Sequence, residues 1–227
     1  MTSRGGRASV LQSSGGGALA PQIDASSQTR ERLIEAAGHL FAEHGFKKVT
    51  VREIVALAHA NVAAVNYHFR DKLGLYREVV EAAITAQETT TRESKEAGEG
   101  LPAEQRLREF IRVFVGRAVS HPGSWVRGII FREIADPTPA LDEIVNRGIR
   151  PRLEYVGSII AELLDCPVTD PRVLPCAGSV QSQLMLTLKS PLAAKLRPDA
   201  PPVPPDVDQI VDHITRFSLG GIAALKR

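Results

Sequence analysis

Apolar residues return every three to four positions along almost the whole chain, and no stretch alternates in the way a half-buried strand requires. In TRERLIEAAGHLFAEHGF, the residues Leu33, Ala37, Leu40 and Phe41, with Ile34 beside them, form one apolar stripe, and Gly45 then supplies a left-handed residue that ends a helix cheaply. Thr50 stands three residues before Glu53, a capping-box spacing that starts a short second helix through about Ala58. After the link HAN, with Asn61 as N-cap, a third helix carries VAAVNYHF, and a fourth runs from about Asp71 into LYREVVEAAITAQ. Short helices on tight links, the second and third in helix-turn-helix order, make a compact unit of about 60 residues.

The rest of the chain predicts longer helices. Residues 98–102, GEGLP, break the pattern, and AEQRLREFIRVFVGRAVS then sets Leu107, Phe110, Ile111, Phe114 and Val115 on one face. WVRGIIFREIA is mostly apolar and is expected inside a second domain. ALDEIVNRGIRPRLEYVGSIIAELL predicts a helix kinked or divided before Pro151. An eighth helix is expected over about 173–190, and a ninth over about 206–225, capped by Asp206 and presenting Val207, Ile210, Val211, Ile214 and Phe217. The proline-rich RPDAPPVPPD between them favours extended backbone. Periodicity alone leaves open whether this last pair meets a partner or only closes the monomer's core. The fold class is therefore all-α, about nine helices, with a tail over 1–26, a helix-turn-helix domain over 27–86 and a larger domain over 87–227.

Composition narrows this picture by exclusion. Hydrophobic residues make up 43% and charged residues 24%, which rules out wholesale disorder, and no apolar run approaches a membrane span. The first 26 residues, broken by Gly and Ser, lack the apolar core of a secretory signal, so a cytoplasmic protein is expected, with Arg4 and Arg7 free to brush a polyanion. Cys166 and Cys176 do not make a disulfide framework. Net charge is only +2, and residues 29–84 hold eight bases against seven acids. Any nucleic-acid argument must therefore rest on where the charges lie.

The third helix is where chemistry collects. Val62, Val65 and Phe69 fall at three-to-four spacing and can face Leu33, Leu40, Ile54 and Leu57, although Val62 also counts with the DNA-contacting set. Ala63 and Ala64 are small enough to approach base edges and to meet a thymine methyl, while Asn66 can bond adenine or a phosphate. Tyr67 would put a hydroxyl at the rim of a groove. Thr50 and Asn61 open their helices beside free backbone N–H groups that suit phosphate, and Arg52 and Lys72 add charge to the same backbone. His68 reads either as a structural hydrogen-bonding residue or as a contact in the same set. Helix-turn-helix geometry also occurs away from DNA, so periodicity alone leaves the function open.

The run FAEHGFKKVTVREIVALAHANVAAVNYHFRDKLGLY resembles the TetR family of bacterial transcriptional regulators, with Gly45, Thr50, Ile54, Ala58, His68, Phe69 and Lys72 in register. Two positions depart from the family pattern. His59 stands where Gly is usual, which costs about 1 kcal/mol in a left-handed turn unless the turn differs, and Asn66 stands where Tyr is frequent. IIFREIADPTPALDEIVNRGIRPRLEYV is similar to the branch with a CecR or CerR type carboxy-terminal domain. The resemblance implies a homodimer formed through the last two helices. It implies recognition helices paired on a pseudo-palindromic double-stranded operator, and release when a small-molecule effector enters the larger domain.

A repressor of that kind would hold its effector among residues 105–188, for which Trp125, Phe131, Arg132, Tyr155 and Gln181 are the candidates. Trp125 and Phe131 have the alternative of being plain core, and Arg132 of pairing with Glu133. No catalytic signature, Gly-rich phosphate loop or metal-ligand spacing is present, so no enzyme activity, metal or cofactor is expected. The sign of regulation depends on where the operator lies relative to the promoter, which the chain does not encode.

Overall fold

The computed structural model describes residues 25–121, 123–187 and 206–226, which are helical with no strand among them. The order is α1 (Ala25–His44), α2 (Val51–Leu57), α3 (Val62–Phe69), α4 (Lys72–Ala97), α5 (Ala103–Ser120) and α6 (Val126–Ala135). A short α7 (Ala140–Glu143) passes through a π-helical turn, Ile144–Ile149, into α8 (Arg150–Leu164), followed by α9 (Val173–Thr187) and α10 (Val207–Leu225). With α7, the π turn and α8 taken as one run, the described residues form nine helical runs, as the periodicity predicts. Residues 1–24 of the expected tail, the last three residues of the expected eighth helix and most of the proline-rich connector lie outside the described residues, and residues 25 and 26 already belong to α1.

Local chemistry explains most boundaries. Gly45, at φ 80°, closes α1, and its N–H bonds the Phe41 carbonyl at 2.9 Å. Asn61 caps α3 through its side-chain oxygen on the Ala64 N–H at 2.8 Å, and Asp71 caps α4 in the same way on Gly74 at 2.8 Å. Helix α4 runs on past LYREVVEAAITAQ to Ala97, because the polar stretch that follows contains no breaker before Gly98. There Thr89, Thr90, Thr91 and Ser94 turn their hydroxyls back onto carbonyls one turn earlier, at 2.7 to 3.0 Å, and so stay within the helix. The break expected before Pro151 is the π turn itself, and Pro151 then occupies the first turn of α8, where its missing N–H costs nothing.

Two hydrophobic cores organise the chain. One joins α1, α2, α3 and the first half of α4 to Trp125, Ile129 and Ile130 of the α6 region and to Ile144. The other is built by α5, α8, α9 and α10 around Phe110, Ile159, Ile160, Leu184 and Ile214. The segment WVRGIIFREIA thus packs into the core of the helix-turn-helix unit, not within the second core as its apolar character suggested. Helix α10 divides its expected broad face: Val211 and Ile214 are fully buried, whereas Phe217 is 66% exposed.

Ion pairs cross between these layers. Arg147 in the π turn meets Glu81, Glu88 and Glu143 at 2.8 to 3.0 Å, tying it to α4. Arg117 of α5 grips Glu93 of α4 with both Nε and Nη2, a bidentate geometry that fixes orientation as well as distance.

Candidate nucleic-acid interface

Helices α2 and α3 meet through a turn whose middle residue, His59, has φ 50°. The left-handed turn of the family is therefore kept without its glycine, at a steric cost of about 1 kcal/mol. The turn holds because the Ala60 N–H bonds the Val55 carbonyl at 2.9 Å and the Ala58 N–H bonds the Ile54 carbonyl at 2.9 Å. Val65 and Phe69 anchor α3 on the core beneath it.

Around α3 the outward residues are Asn61, Val62, Ala63, Asn66, Tyr67 and Arg70. Their spacing is one continuous helical face. This corrects the expected packing of Val62, which is 45% exposed and belongs to the outward stripe, and of Leu57, which is 52% exposed at the end of α2. The reason is the phase of the helix: Val65 and Phe69 share a face with Ala64 and His68, leaving Val62 turned away. Ala64 is accordingly half-buried against the core, its N–H already committed to Asn61. His68 is half-buried as well, its ring edge-on to Tyr67 at 4.9 Å and tilted on Phe69 at 5.8 Å.

The polar residues sort by what they have left to offer. Tyr67 is 80% exposed, and Asn66 and Ala63 beside it are open. Asn61 spends its carbonyl on the cap and keeps its amide donors. Thr50 is different. Its N–H and hydroxyl both donate to Glu53, at 2.7 and 2.8 Å, and those bonds hold the Glu53 carboxyl below its usual range. A carboxylate thus stands at the α2 terminus, which corrects the expectation of an open phosphate site there. Arg52 points outward from α2.

Lys72 also departs from expectation. Its ammonium donates to the Phe46 and Val49 carbonyls, both at 2.9 Å, and lies 4.4 Å from the Phe46 ring centroid. Two of its three donors therefore hold the loop between α1 and α2, leaving one for any phosphate. Two exposed cations outside the expected set are Lys48, before the α2 cap, and Arg70, at the α3 C-cap, neither in an ion pair with another described residue. Arg70's i, i+3/i+4 relation to Asn66 and Tyr67 was legible in the sequence; Lys48 needed the fold.

The residues expected to line an effector pocket are scattered. A cavity of about 240 Å³ opens between α4, α5, α6 and α8, with Met185 of α9 at its edge, and of the five candidates only Phe131 reaches it. Trp125 is 8% exposed in the first core, its indole N–H bonded to Glu35 of α1 at 2.8 Å. Arg132 does not pair with Glu133; its guanidinium donates to the Glu43 carbonyl and so caps α1. Glu133 is fully buried and accepts from Tyr76 and from the backbone and hydroxyl of Thr138. Burial and that carboxylate push the Tyr76 phenol well above its ordinary range. Tyr155 donates to the Ser94 carbonyl at 3.1 Å, packing α8 on α4, and Gln181 is buried on α9 with neither amide atom bonded.

Helix α6 links the two regions. Arg132 and the adjoining Trp125 engage α1, while Val126, Arg127, Ile130 and Phe131 face the cavity. Among the described residues no helix is long and apolar enough to cross a membrane, and no group of His, Cys, Asp or Glu could hold a metal ion.

Comparison with known proteins agrees with this arrangement. Residues 33–79 match the model for bacterial regulatory proteins of the tetR family, and residues 103–222 match that for the C-terminal domain of the HTH-type transcriptional dual regulator CecR. The chain is 30% identical over 156 residues to CecR of Shigella flexneri, covering 65% of this chain and 70% of that one. It is 25% identical over 135 residues to YttP of Bacillus subtilis, 59% of this chain and 63% of that protein, so the match spans a little under two thirds of that relative. A TetR-like transcriptional regulator from Rhodococcus sp. RHA1 superposes with a TM-score of 0.63 at 15% identity, over 86% of this chain and 96% of that one, a likeness of fold. From the helix-turn-helix at one end to the matched domain at the other, the chain belongs to the TetR family of transcriptional regulators and carries a CecR-type C-terminal domain.

Proposed function

We propose that the chain is a repressor that binds a pseudo-palindromic operator as a homodimer and leaves it when a small effector enters the cavity between α4, α5, α6 and α8. The observation that carries this reading is the position of α6. One side of this segment holds α1 through Trp125 and Arg132, and the other supplies Val126, Ile130 and Phe131 to the cavity wall. An effector that favours one setting of α6 therefore favours one setting of α1 and of the helices packed on it, and linkage makes the effect on DNA affinity reciprocal.

In this reading residues 27–86 are the DNA-binding domain and 87–227 the effector and dimerisation domain, working in the cytoplasm. Ala63, Asn66 and Tyr67 meet the major groove, and Asn61, Arg52, Lys48 and Arg70 meet the flanking phosphates. Dimerisation uses the outward faces of α9 and α10. Gly178, Ser179 and Ser182 on one and Gly220, Gly221 and Ala224 on the other allow close approach, and exposed Phe217 gives a central apolar anchor. The test is a gel-shift titration of the purified full chain against DNA flanking its own gene, at low salt. A discrete shifted species that resists random competitor DNA is expected, and no binding to any such fragment would defeat the reading.

A further inference from the structure

The cavity holds an unbalanced charge. Arg152 reaches it from α8 and is 2% exposed. Its Nη1 donates to Gln87 Oε1, its guanidinium lies 5.5 Å from the Phe114 ring centroid, and its Nε–H has no acceptor among the described residues. No Asp or Glu among the described residues pairs with it. Elsewhere in the same layers arginines are well supplied: Arg147 has three glutamates and Arg117 has Glu93. Among the described residues the cavity wall carries Arg117, Arg127 and His121 beside Arg152, and no carboxylate. Burial pulls the Arg152 guanidinium down to about 10, so it still carries its charge at neutral pH. A buried cation without a counter-ion is expensive, and each such group asks for an explanation.

We propose that Arg152 is the anion-binding residue of this cavity and that its ligand is an amphipathic monocarboxylate, with the carboxylate on the guanidinium and the apolar body against Phe114, Ala118, Ile130 and Phe131. This deepens the effector reading above and rests on it. A planar guanidinium with an uncommitted N–H matches a carboxylate in shape and charge. Arg152 alone matches a single carboxylate, whereas a phosphate would also have to recruit Arg127 or His121 from the wall, because Arg117 is already held by Glu93. The volume of about 240 Å³ equals the share of roughly eight waters, room for a short chain or a single ring.

The bond that such a ligand competes with also has a consequence. Arg152 donating to Gln87 ties α8 to α4, the helix that runs on into the DNA-binding unit. A carboxylate that takes the guanidinium releases Gln87 and loosens that tie. Ligand charge and the setting of α4 are thereby coupled through one exchange of acceptors.

The test uses the full chain without DNA and measures binding of octanoate, octanamide and octanol by calorimetry. Octanoate is expected to bind, and the two neutral probes to bind at least about tenfold more weakly. Arg152→Gln should reduce octanoate to the level of octanamide, while its unliganded form melts no lower than the native chain, because an unpaired buried charge has been removed. Gln87→Ala leaves the charge and removes the competing acceptor, so it should tighten octanoate binding and supplies the readout if Arg152→Gln fails to fold. Equal binding of octanoate and octanamide, no binding of any probe, undiminished octanoate binding by Arg152→Gln, or unimproved binding by Gln87→Ala would each overturn the proposal. Those outcomes leave the gel shift untouched; a chain that binds octanoate but no DNA defeats the regulator reading instead.

Discussion

The indole of Trp125 lies so close against Gly38 that a Cβ added at residue 38 would fall 2.3 Å from the ring. Helix α1 and the α6 region therefore touch at a point where only a hydrogen atom fits, and the contact is fixed laterally by the Trp125 bond to Glu35. Gly38→Ala must push the indole or the helix aside. A loss of about 1–3 kcal/mol in urea denaturation is expected. Trp125 is the sole tryptophan of the chain, so its emission reports the same displacement.

His59→Gly should act in the opposite direction. The native φ of 50° strains any residue with a Cβ, and His59 is exposed, so its side chain has little packing to lose. Relief of strain is offset in part by the greater freedom of glycine in the unfolded chain. A net gain of up to about 1 kcal/mol is expected by chemical denaturation, with operator affinity unchanged.

Asn66→Ala separates base reading from phosphate contact. Asn66 stands in the middle of the outward stripe of α3 and makes no contribution to the buried core. The expected result is a loss of about 1–3 kcal/mol on the operator with little change on random duplex. An equal loss on both would move Asn66 to the phosphates.

Phe217→Asp tests the dimer. This ring is 66% exposed and among the described residues stacks on His213 alone, 6.3 Å away on the same helix. A charge here should not unfold the monomer, but it should convert a dimer to a monomer in light scattering and weaken operator binding by removing the second recognition helix.

Acid should loosen the α4 contacts. Arg147 holds Glu81, and Arg117 holds Glu93, below their usual carboxylate range. At pH values under about 4.5 the unfolded chain therefore binds more protons at these sites than the folded one, and stability falls as pH falls. The contribution is fully present above that range and is lost as pH drops through the lowered folded values. Glu81→Gln and Glu93→Gln should each lower the melting temperature at pH 7 and flatten its decline in acid.

What the sequence disclosed follows the range of each interaction. The Thr50–Glu53 box, the Asn61 cap and the Gly45 stop are settled within four residues, and all three stand as expected. Val62 and Leu57 were misassigned because short helices allow more than one phase for the same apolar residues, and only the position of α1 beneath them chooses. Lys72 looked like a phosphate ligand because the carbonyls that hold it, on Phe46 and Val49, are more than twenty residues earlier. Four of the five expected cavity residues lie elsewhere for a related reason: aromatic and charged residues near α6 serve α1 as readily as they serve a cavity. Arg152 could not be recognised at all, since what distinguishes it is that no described Asp or Glu pairs with it, and nothing local in the sequence says which acid a distant arginine will meet.

The uninterrupted run of α4 sets a scale for communication. Its 26 residues span about 39 Å, with Arg147 and Arg152 gripping the middle and α3 packed near the start. A rigid rod of that length turned by about 5° moves its tip by about 3 Å, comparable to a full hydrogen-bond length. In the homodimer proposed above, two such rods would change the separation of the recognition helices by up to twice as much. In the dimer proposed above, a change of that size would put the two recognition helices out of step with successive turns of the double helix.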